Sequence, residues 1–295
     1  MFDIRDMQLL DALARHRHFA RAADECGISQ PAFSSRIRNL ESDLKISIVK
    51  RGNRFMGFTP EGEIALKWAR KILLDADGMR QEITNATTTL EGRLNVGVIP
   101  TALAFVARVP TVIRARHPNL RVEITSTSSS DIKRGLDDFT FSAGVSYIDD
   151  AMPTNLSGDL LYNEEYLLLA PRDLVGDRVD AITWADAARL PLCLLSRTMQ
   201  NRRIIEEIFQ TVGADVVPVM ETNALTVSLT QVEAGVAATI VPRVLMRSLP
   251  MGETVVALNL TAPHVQRPVG LLLTDREPVP PAHRVLSSAL KELLD

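Results

Sequence analysis

Cysteine is nearly missing from this sequence: among 295 residues there are two, Cys26 and Cys193, far apart and without companions. That excludes a disulfide framework and a thiolate metal cluster, so stability has to come from packing. Long apolar runs are missing as well. The stretch 167–169 is hemmed in by Glu164, Glu165 and Pro171, well short of the roughly 18 consecutive apolar residues that a membrane span requires. The sequence opens on Asp3, Arg5 and Asp6 rather than on a basic patch and an apolar block, and a cytoplasmic location without membrane partners is expected. The five histidines, His16, His18, His117, His264 and His283, lack metal-ligand spacing. No glycine pattern of a nucleophile elbow surrounds a serine, and no glycine-rich phosphate loop occurs. Neither a catalytic residue nor a metal or cofactor site is assigned.

What is present is 46% hydrophobic and 23% charged, the balance of a globular chain long enough for about two domains. The net charge of -3 conceals an asymmetry. Residues 1–58 hold ten Lys and Arg against seven Asp and Glu, whereas residues 96–295 hold 18 against 23. A basic module thus precedes a larger acidic one.

The opening segment is helical in period, with Met7, Leu10 and Ala14 in step and Leu9 and Leu13 widening the stripe. A short second helix is predicted over 19–26, facing inward through Phe19, Ala22, Ala23 and Cys26, with Gly27 as its stop. Ser29 is a candidate N-cap for a third helix, Pro31 fits its first turn, and Phe33, Ile37, Leu40 and Leu44 form its buried face. The spacing of Ala23, Gly27, Ile28 and Phe33 suits a helix-turn-helix. The third helix then exposes Gln30, Ser34, Ser35, Arg38 and Asn39, side chains suited to base edges and phosphates, and Arg21, Arg36, Arg51 and Arg54 can add backbone contacts.

A turn-rich basic segment, Lys50 to Phe58, reads as a hairpin or wing. Thr59 and Pro60 then open a long helix whose stripe of Ile64, Trp68, Ile72, Ala76, Met79, Ile83, Ala86 and Leu90 repeats every three or four residues. A rod of about 45 Å is too long for the N-terminal unit to cover. Its seam therefore calls for the same helix of a second copy.

From residue 94 the texture is α/β. Strands are predicted at 94–99, 120–124, 143–148, 166–171, 192–196, 216–221, 239–241, 255–260 and 269–273. Helices are predicted from the first strand to His117 and at 132–137, 184–189, 202–212, 225–234, 242–247 and 281–294.

The run Phe19, Arg21-Ala22-Ala23, Ile28-Ser29-Gln30-Pro31-Ala32-Phe33-Ser34 and Arg36-Ile37-Arg38-Asn39-Leu40-Glu41, with Arg51 and Thr59-Pro60-Glu61-Gly62 beyond, resembles the LysR-type transcriptional regulators. The likeness is dense over the first 65 or so residues and continues in length and organisation, including the segment 235–242. It departs at Ser35 and Val49, where the family usually carries an arginine and an aromatic residue. The resemblance implies a winged helix-turn-helix over 1–58, a dimerising linker helix over 59–91, and a two-lobed α/β effector domain of periplasmic-binding-protein type over 92–295. Lobe I is expected at about 92–166 and 268–295, lobe II at about 167–267. It places Gln30, Pro31, Ala32, Ser34 and Ser35 at the groove and Arg38, Arg51 and Arg54 near phosphates. It also implies tetramers built from two dimers, with promoter DNA and RNA polymerase as partners.

An effector between the lobes would meet loops after strands and helix N-termini. By position these are Pro100, Thr101, Ser128, Ser129, Ser130, Ser196, Arg197, Met199, Thr222 and Asn223. Each hydroxyl has a plain alternative as a helix cap. With Arg197 and free amides in the set, a small organic acid is the expected effector. Two other classes stay open: a solute-binding or sensing module whose first helices serve only assembly, and an enzyme with unrecognised cleft chemistry.

Overall fold

The computed structural model describes residues 2–50, 52, 54–85, 90–149, 152–177, 180–247 and 252–294. Three helices open the chain: α1 (Ile4–His16), α2 (Phe19–Glu25) and α3 (Gln30–Leu44). Asp3 caps α1 in a reciprocal box with Asp6, and Arg36 from α3 reaches both carboxylates. Met7, Leu10 and Leu13 of α1, Ala22 and Ala23 of α2 and Phe33, Ile37 and Leu40 of α3 share one buried core. Gly27 sits between α2 and α3 at φ +66°, a left-handed conformation that costs glycine nothing. Ser29 caps α3 by accepting from the Ala32 amide at 3.4 Å, with Pro31 in the first turn.

The wing closes where Val49 bridges Phe58 antiparallel and the Lys50 amide donates to the Gly57 carbonyl at 2.9 Å. Glu41 of α3 holds its root, accepting from the amides of Ile48 at 2.7 Å and Val49 at 3.2 Å. Few as the aromatics are, Phe19, Phe33, Phe55 and Phe58 meet edge to face here, at centroid separations of 5.2 to 6.2 Å.

Thr59 caps the long helix α4 (Pro60–Asn85), taking the Gly62 amide at 2.9 Å. A Cβ at Gly62 would stand 2.0 Å from the Ile48 carbonyl oxygen, so only glycine lets helix and wing approach this closely. At 26 residues α4 is about 39 Å long. Leu66 and Ala69 face the N-terminal core. The opposite seam is uncovered: Ile64, Trp68, Met79 and Ile83 are 59 to 67% exposed and Ile72 is 38% exposed. Ala86, expected in the same stripe, lies outside the described residues. Leu90 departs from it, being 1% exposed and packed inside rather than displayed on the helix. There Gly92, at φ +122°, turns the chain into the first strand while Gln81 donates to the Glu91 carbonyl.

Among the described residues the remainder is built on two larger sheets and a two-stranded one. Beginning with β1 (Gly92–Val98), the chain runs through a 3-10 turn (Pro100–Ala102), α5 (Leu103–Val106), α6 (Val109–Arg116), β2 (Leu120–Ser126), α7 (Ser129–Asp137), β3 (Ala143–Tyr147) and β4 (Leu156–Glu164). It then crosses into β5 (Tyr166–Pro171), α8 (Arg172–Val175), β6 (Ala181–Thr183), α9 (Trp184–Ala187), β7 (Cys193–Leu195), α10 (Gln200–Thr211), β8 (Met220–Thr222), α11 (Leu225–Glu233), β9 (Thr239–Pro242) and β10 (Val255–Thr261). It returns as β11 (Arg267–Thr274) and ends in α12 (Pro281–Glu292). The first sheet has the order β2-β1-β3-β11-β4, the second β6-β10-β5-β9, and β7 pairs with β8 in parallel. Both connections between the sheets run side by side, since Gln266 donates to Glu165 at 2.8 Å.

Several elements differ from the sequence-based expectation, each for a physical reason. The single helix expected before His117 is broken into a 3-10 turn and two short helices, with Pro110 in the first turn of α6. β4, the longest strand, was not expected at all. A bulge opposite Val269 and Gly270 leaves Leu161 outside the pairing and breaks the alternation by which a strand is recognised. β6, three residues long, and α8, four, each span too few periods to read. The strand expected over 216–221 is ordered only as β8, with Val217 and Val219 turned to solvent at 87% and 61% exposure. The segment expected as a helix from Pro242 is a 3-10 helix, Arg243–Arg247.

Candidate functional site

The first candidate surface is the outer face of α3. Ser29, Gln30, Pro31, Ala32, Ser35, Arg38 and Asn39 are exposed there and Ser34 is half-exposed. Their arrangement follows from the burial of Phe33, Ile37 and Leu40, which turns the remaining positions outward. Arg21 and Arg54 are exposed on either side of this face and, like Arg38, make no ion pair among the described residues. Arg36 differs. Its guanidinium is 2.8 Å from Asp6 and 3.1 Å from Asp3, an engagement that raises its own pKa, while the amides of Asp6 and Arg5, with Arg36 after them, lower that of Asp3. Arg51 lies outside the described residues.

The second candidate is a small cavity between the two sheets, about 10 Å³, room for about one water in this arrangement of the lobes. Five of the expected effector residues line it: Pro100, Thr101, Ser128, Ser129 and Met199. Ile99, Tyr147, Leu195, Gln200 and Asn201 complete the wall. Ser128 is the N-cap of α7, accepting from the Asp131 amide at 3.2 Å and contacting Ser130 Oγ at 2.9 Å. Ser129 Oγ is buried and makes no hydrogen bond among the described residues. The other expected residues are not part of this wall. Ser196 pairs with Thr198 at 3.0 Å, Thr222 accepts from the Ala224 amide at 3.1 Å, and Asn223 is exposed. Arg197 is 71% exposed and turned to Glu206 at 3.0 Å, so the cation on which an acidic effector was expected does not enter the cavity.

Sequence reasoning missed the polar cluster behind this wall. Tyr147, Glu164 and Tyr166 end β3, end β4 and begin β5, and so meet at the first crossing between the sheets. Glu164 is 1% exposed and accepts the Tyr147 hydroxyl at 2.6 Å. Thr101 Oγ1 and Asn201 Nδ2 each lie 3.4 Å from the same Tyr147 oxygen, Asn201 reaching it from the other side of the cavity. Burial pushes the Glu164 carboxyl up to about 7 against the pull of these hydrogen bonds, and raises the Tyr147 hydroxyl well above its usual range. No sequence motif announces this cluster; a lone Glu at a strand end reads as solvated.

Sheet and rod are joined by Arg70 of α4, which contacts Asp11 of α1 at 3.2 Å and Asp138 beyond α7 at 3.6 Å. Lys67 adds a bond to Asp137 at 2.8 Å. Among the described residues no group of three His, Cys, Asp or Glu could hold a metal, and no helix is long and apolar enough to cross a membrane.

Comparison with known proteins places both surfaces in context. Residues 4–63 match the family model described as bacterial regulatory helix-turn-helix protein, lysR family, and residues 87–295 match the LysR substrate binding domain. The chain is 26% identical over 296 residues to the DNA-binding transcriptional dual regulator OxyR of Escherichia coli K12, covering 99% of this chain and 96% of that one. A probable RuBisCO transcriptional regulator of Trieres chinensis is 26% identical over 248 residues, covering 81% and 80% of the two chains. Among solved structures, a full-length OxyR variant from Pseudomonas aeruginosa superposes with a TM-score of 0.80 at 22% identity, covering 99% and 98% of the chains. CbnR in complex with its target DNA gives 0.70 at 20% identity, covering 99% and 100%.

Proposed function

This chain belongs to the LysR family of bacterial transcriptional regulators, and from that premise we propose how its parts share the work of a DNA-binding, effector-responsive regulator. Residues 1–58 read promoter DNA, residues 59–91 join two copies, and residues 92–295 receive the effector between lobe I (92–166 and 268–295) and lobe II (167–267). The observation that carries this reading is the uncommitted polar face of α3, with Gln30, Ser35 and Arg38 exposed beside Arg21 and Arg54. Gln30, Pro31, Ala32, Ser34 and Ser35 meet base edges and Ser29, Arg21, Arg38, Arg51 and Arg54 position the backbone, while Arg36, engaged by Asp3 and Asp6, holds the recognition helix in place.

Two copies clasped along Ile64, Trp68, Ile72, Met79 and Ile83 present their recognition helices to half-sites about 10 bp apart or multiples of that. Pairs of dimers form the tetramer, RNA polymerase is the downstream partner, and the setting is cytoplasmic. The relatives are transcriptional regulators, and no catalytic step is assigned. The effector acts by unequal affinity for two subunit arrangements, because equal affinity shifts no population. Pro100, Thr101, Ser128, Ser129 and Met199 hold it directly; Ser130, Ser196, Arg197, Thr222 and Asn223 shape the rim.

The name hydrogen peroxide-inducible genes activator attaches to several relatives. A thiol switch finds little support in this chain. Cys193 is fully buried, and Cys26 lies in the helix-turn-helix with its thiol pKa raised by burial.

A mobility-shift titration of the full chain on the DNA flanking its own gene, with random DNA as competitor, tests the reading. Selective retention of the flanking DNA is expected. Equal affinity for both would remove the regulator assignment of the α3 face.

A further inference from the structure

We propose that the cavity between the lobes selects a small amine in its ammonium form, and that Tyr147 and Glu164 set this preference. The inference rests on the reading of that cavity as the effector site and adds the ligand's chemistry.

The argument begins with one proton. A tyrosine hydroxyl has a single hydrogen to give and lone pairs to receive. Tyr147 gives its hydrogen to Glu164 at 2.6 Å, so toward the cavity its oxygen is an acceptor only. Asn201 Nδ2 donates to that oxygen and Thr101 Oγ1 stands beside it, both at 3.4 Å, the long edge of a hydrogen bond that a closer donor can displace. A ligand group that donates therefore completes the site, and one that only accepts meets lone pairs.

Charge points the same way. Glu164 is buried with its second oxygen, Oε2, lacking a hydrogen-bond partner among the described residues. Among the described residues no cation lines the cavity. Lys133 is taken by Asp149 at 2.9 and 3.0 Å, Arg197 by Glu206, and Arg202 by Glu206 at 2.9 Å and Glu221 at 2.7 Å. Asp149, its charge balanced by Lys133, takes Gln200 from the other lobe at 3.3 Å and adds no net charge. Ionising a buried carboxyl without a counter-charge is costly, and an ammonium lowers that cost where a carboxylate ligand would add to it. The first turn of α7 already carries its own anion, Asp131. The N-terminus of α10, without a side-chain cap, is the feature that favours an anion, and the test includes one.

The test uses three probes of equal chain length: butane-1,4-diamine, butane-1,4-diol and succinate. Each is titrated into the full chain by calorimetry and by thermal shift. The diamine is expected to bind about tenfold or more tightly than succinate, with the diol between them. Glu164→Gln, nearly isosteric, and Tyr147→Phe should each cancel most of that preference, and Ser129→Ala should weaken every probe that binds. A preference for succinate, a diamine that does not bind, or a preference unchanged in both Glu164→Gln and Tyr147→Phe overturns the ammonium assignment. Succinate binding that Ser129→Ala weakens would keep the cavity as the effector site while losing the amine. Probe binding indifferent to Ser129→Ala would remove the cavity itself.

Discussion

The guanidinium of Arg36 lies 2.8 Å from the carboxylate of Asp6, and this pair fastens the recognition helix to the start of the first helix. Asp6 is buried, 7% exposed, and Asp3 caps the same turn. Removing the arginine strands a carboxylate that has little access to water. Arg36→Ala is expected to lower unfolding stability by about 1 to 2 kcal/mol, measured in urea, without moving the salt slope of DNA binding by a full unit. Arg38→Ala, at an exposed position, should do the reverse: unchanged stability, and a salt slope reduced by about 1. An unchanged slope in Arg38→Ala would take that residue off the phosphate list.

The seam on α4 makes a second prediction. Trp68 and Ile72 are exposed beside Ile64, while Leu66 and Ala69 on the other side are packed. Charge on the seam meets water in a monomer but is desolvated in a dimer. Trp68→Asp and Ile72→Asp should therefore yield folded monomers in sedimentation velocity. A native-mass dimer from both variants would contradict pairing through this face.

Acid and base should reveal two buried groups with opposite signs. The Glu164 carboxyl is raised from 4.5 to about 7 by burial, against the hydrogen bond that Tyr147 donates to it. Between those values the native state holds a proton that the unfolded chain has released. Stability from this site is complete below about pH 4.5 and falls as pH rises to 7, by on the order of 3 kcal/mol. His283 runs the other way, its pKa lowered from 6.5 to about 3 by burial and by nearby Arg276. Its contribution is present above pH 6.5 and is lost as pH falls toward 3. The two slopes oppose each other between pH 4.5 and 6.5. Urea midpoints of the wild type should be nearly level there, whereas those of Glu164→Gln should climb with pH. Parallel profiles of the two proteins would refute the role of Glu164.

Neighbouring serines should separate structure from binding. Ser128 caps α7, so Ser128→Ala should cost about 1 kcal/mol of stability. Ser129 Oγ is buried without a partner among the described residues, so Ser129→Ala should leave stability within about 0.5 kcal/mol and lower effector affinity. Loss of stability in Ser129→Ala would return that hydroxyl to a structural role.

The N-terminal unit was legible in the sequence because its determinants are local. Gly27, Ser29 with Pro31, and Thr59 with Pro60 mark helix ends within a few residues of the bonds they make. The face of α3 followed from the period of Phe33, Ile37 and Leu40. The site between the sheets was legible only in outline. Thr101, Ser128 and Met199 could be placed because strands are followed by helix starts, but β4 was hidden by its bulge and with it Glu164. Tyr147 and Glu164 are 17 positions apart and meet only through β11, which pairs with both of their strands. Arg197 was misjudged because an arginine nine residues before a glutamate does not declare which way it will turn.

The bare Cα of Gly62 has a mechanical result. With the Ile48 carbonyl seated directly against it, the foot of α4 is held close to the wing root. In the proposed dimer, a twist of one rod against its mate would then be passed on to both heads as altered distance and tilt. The operator would sense the signal as a change of span.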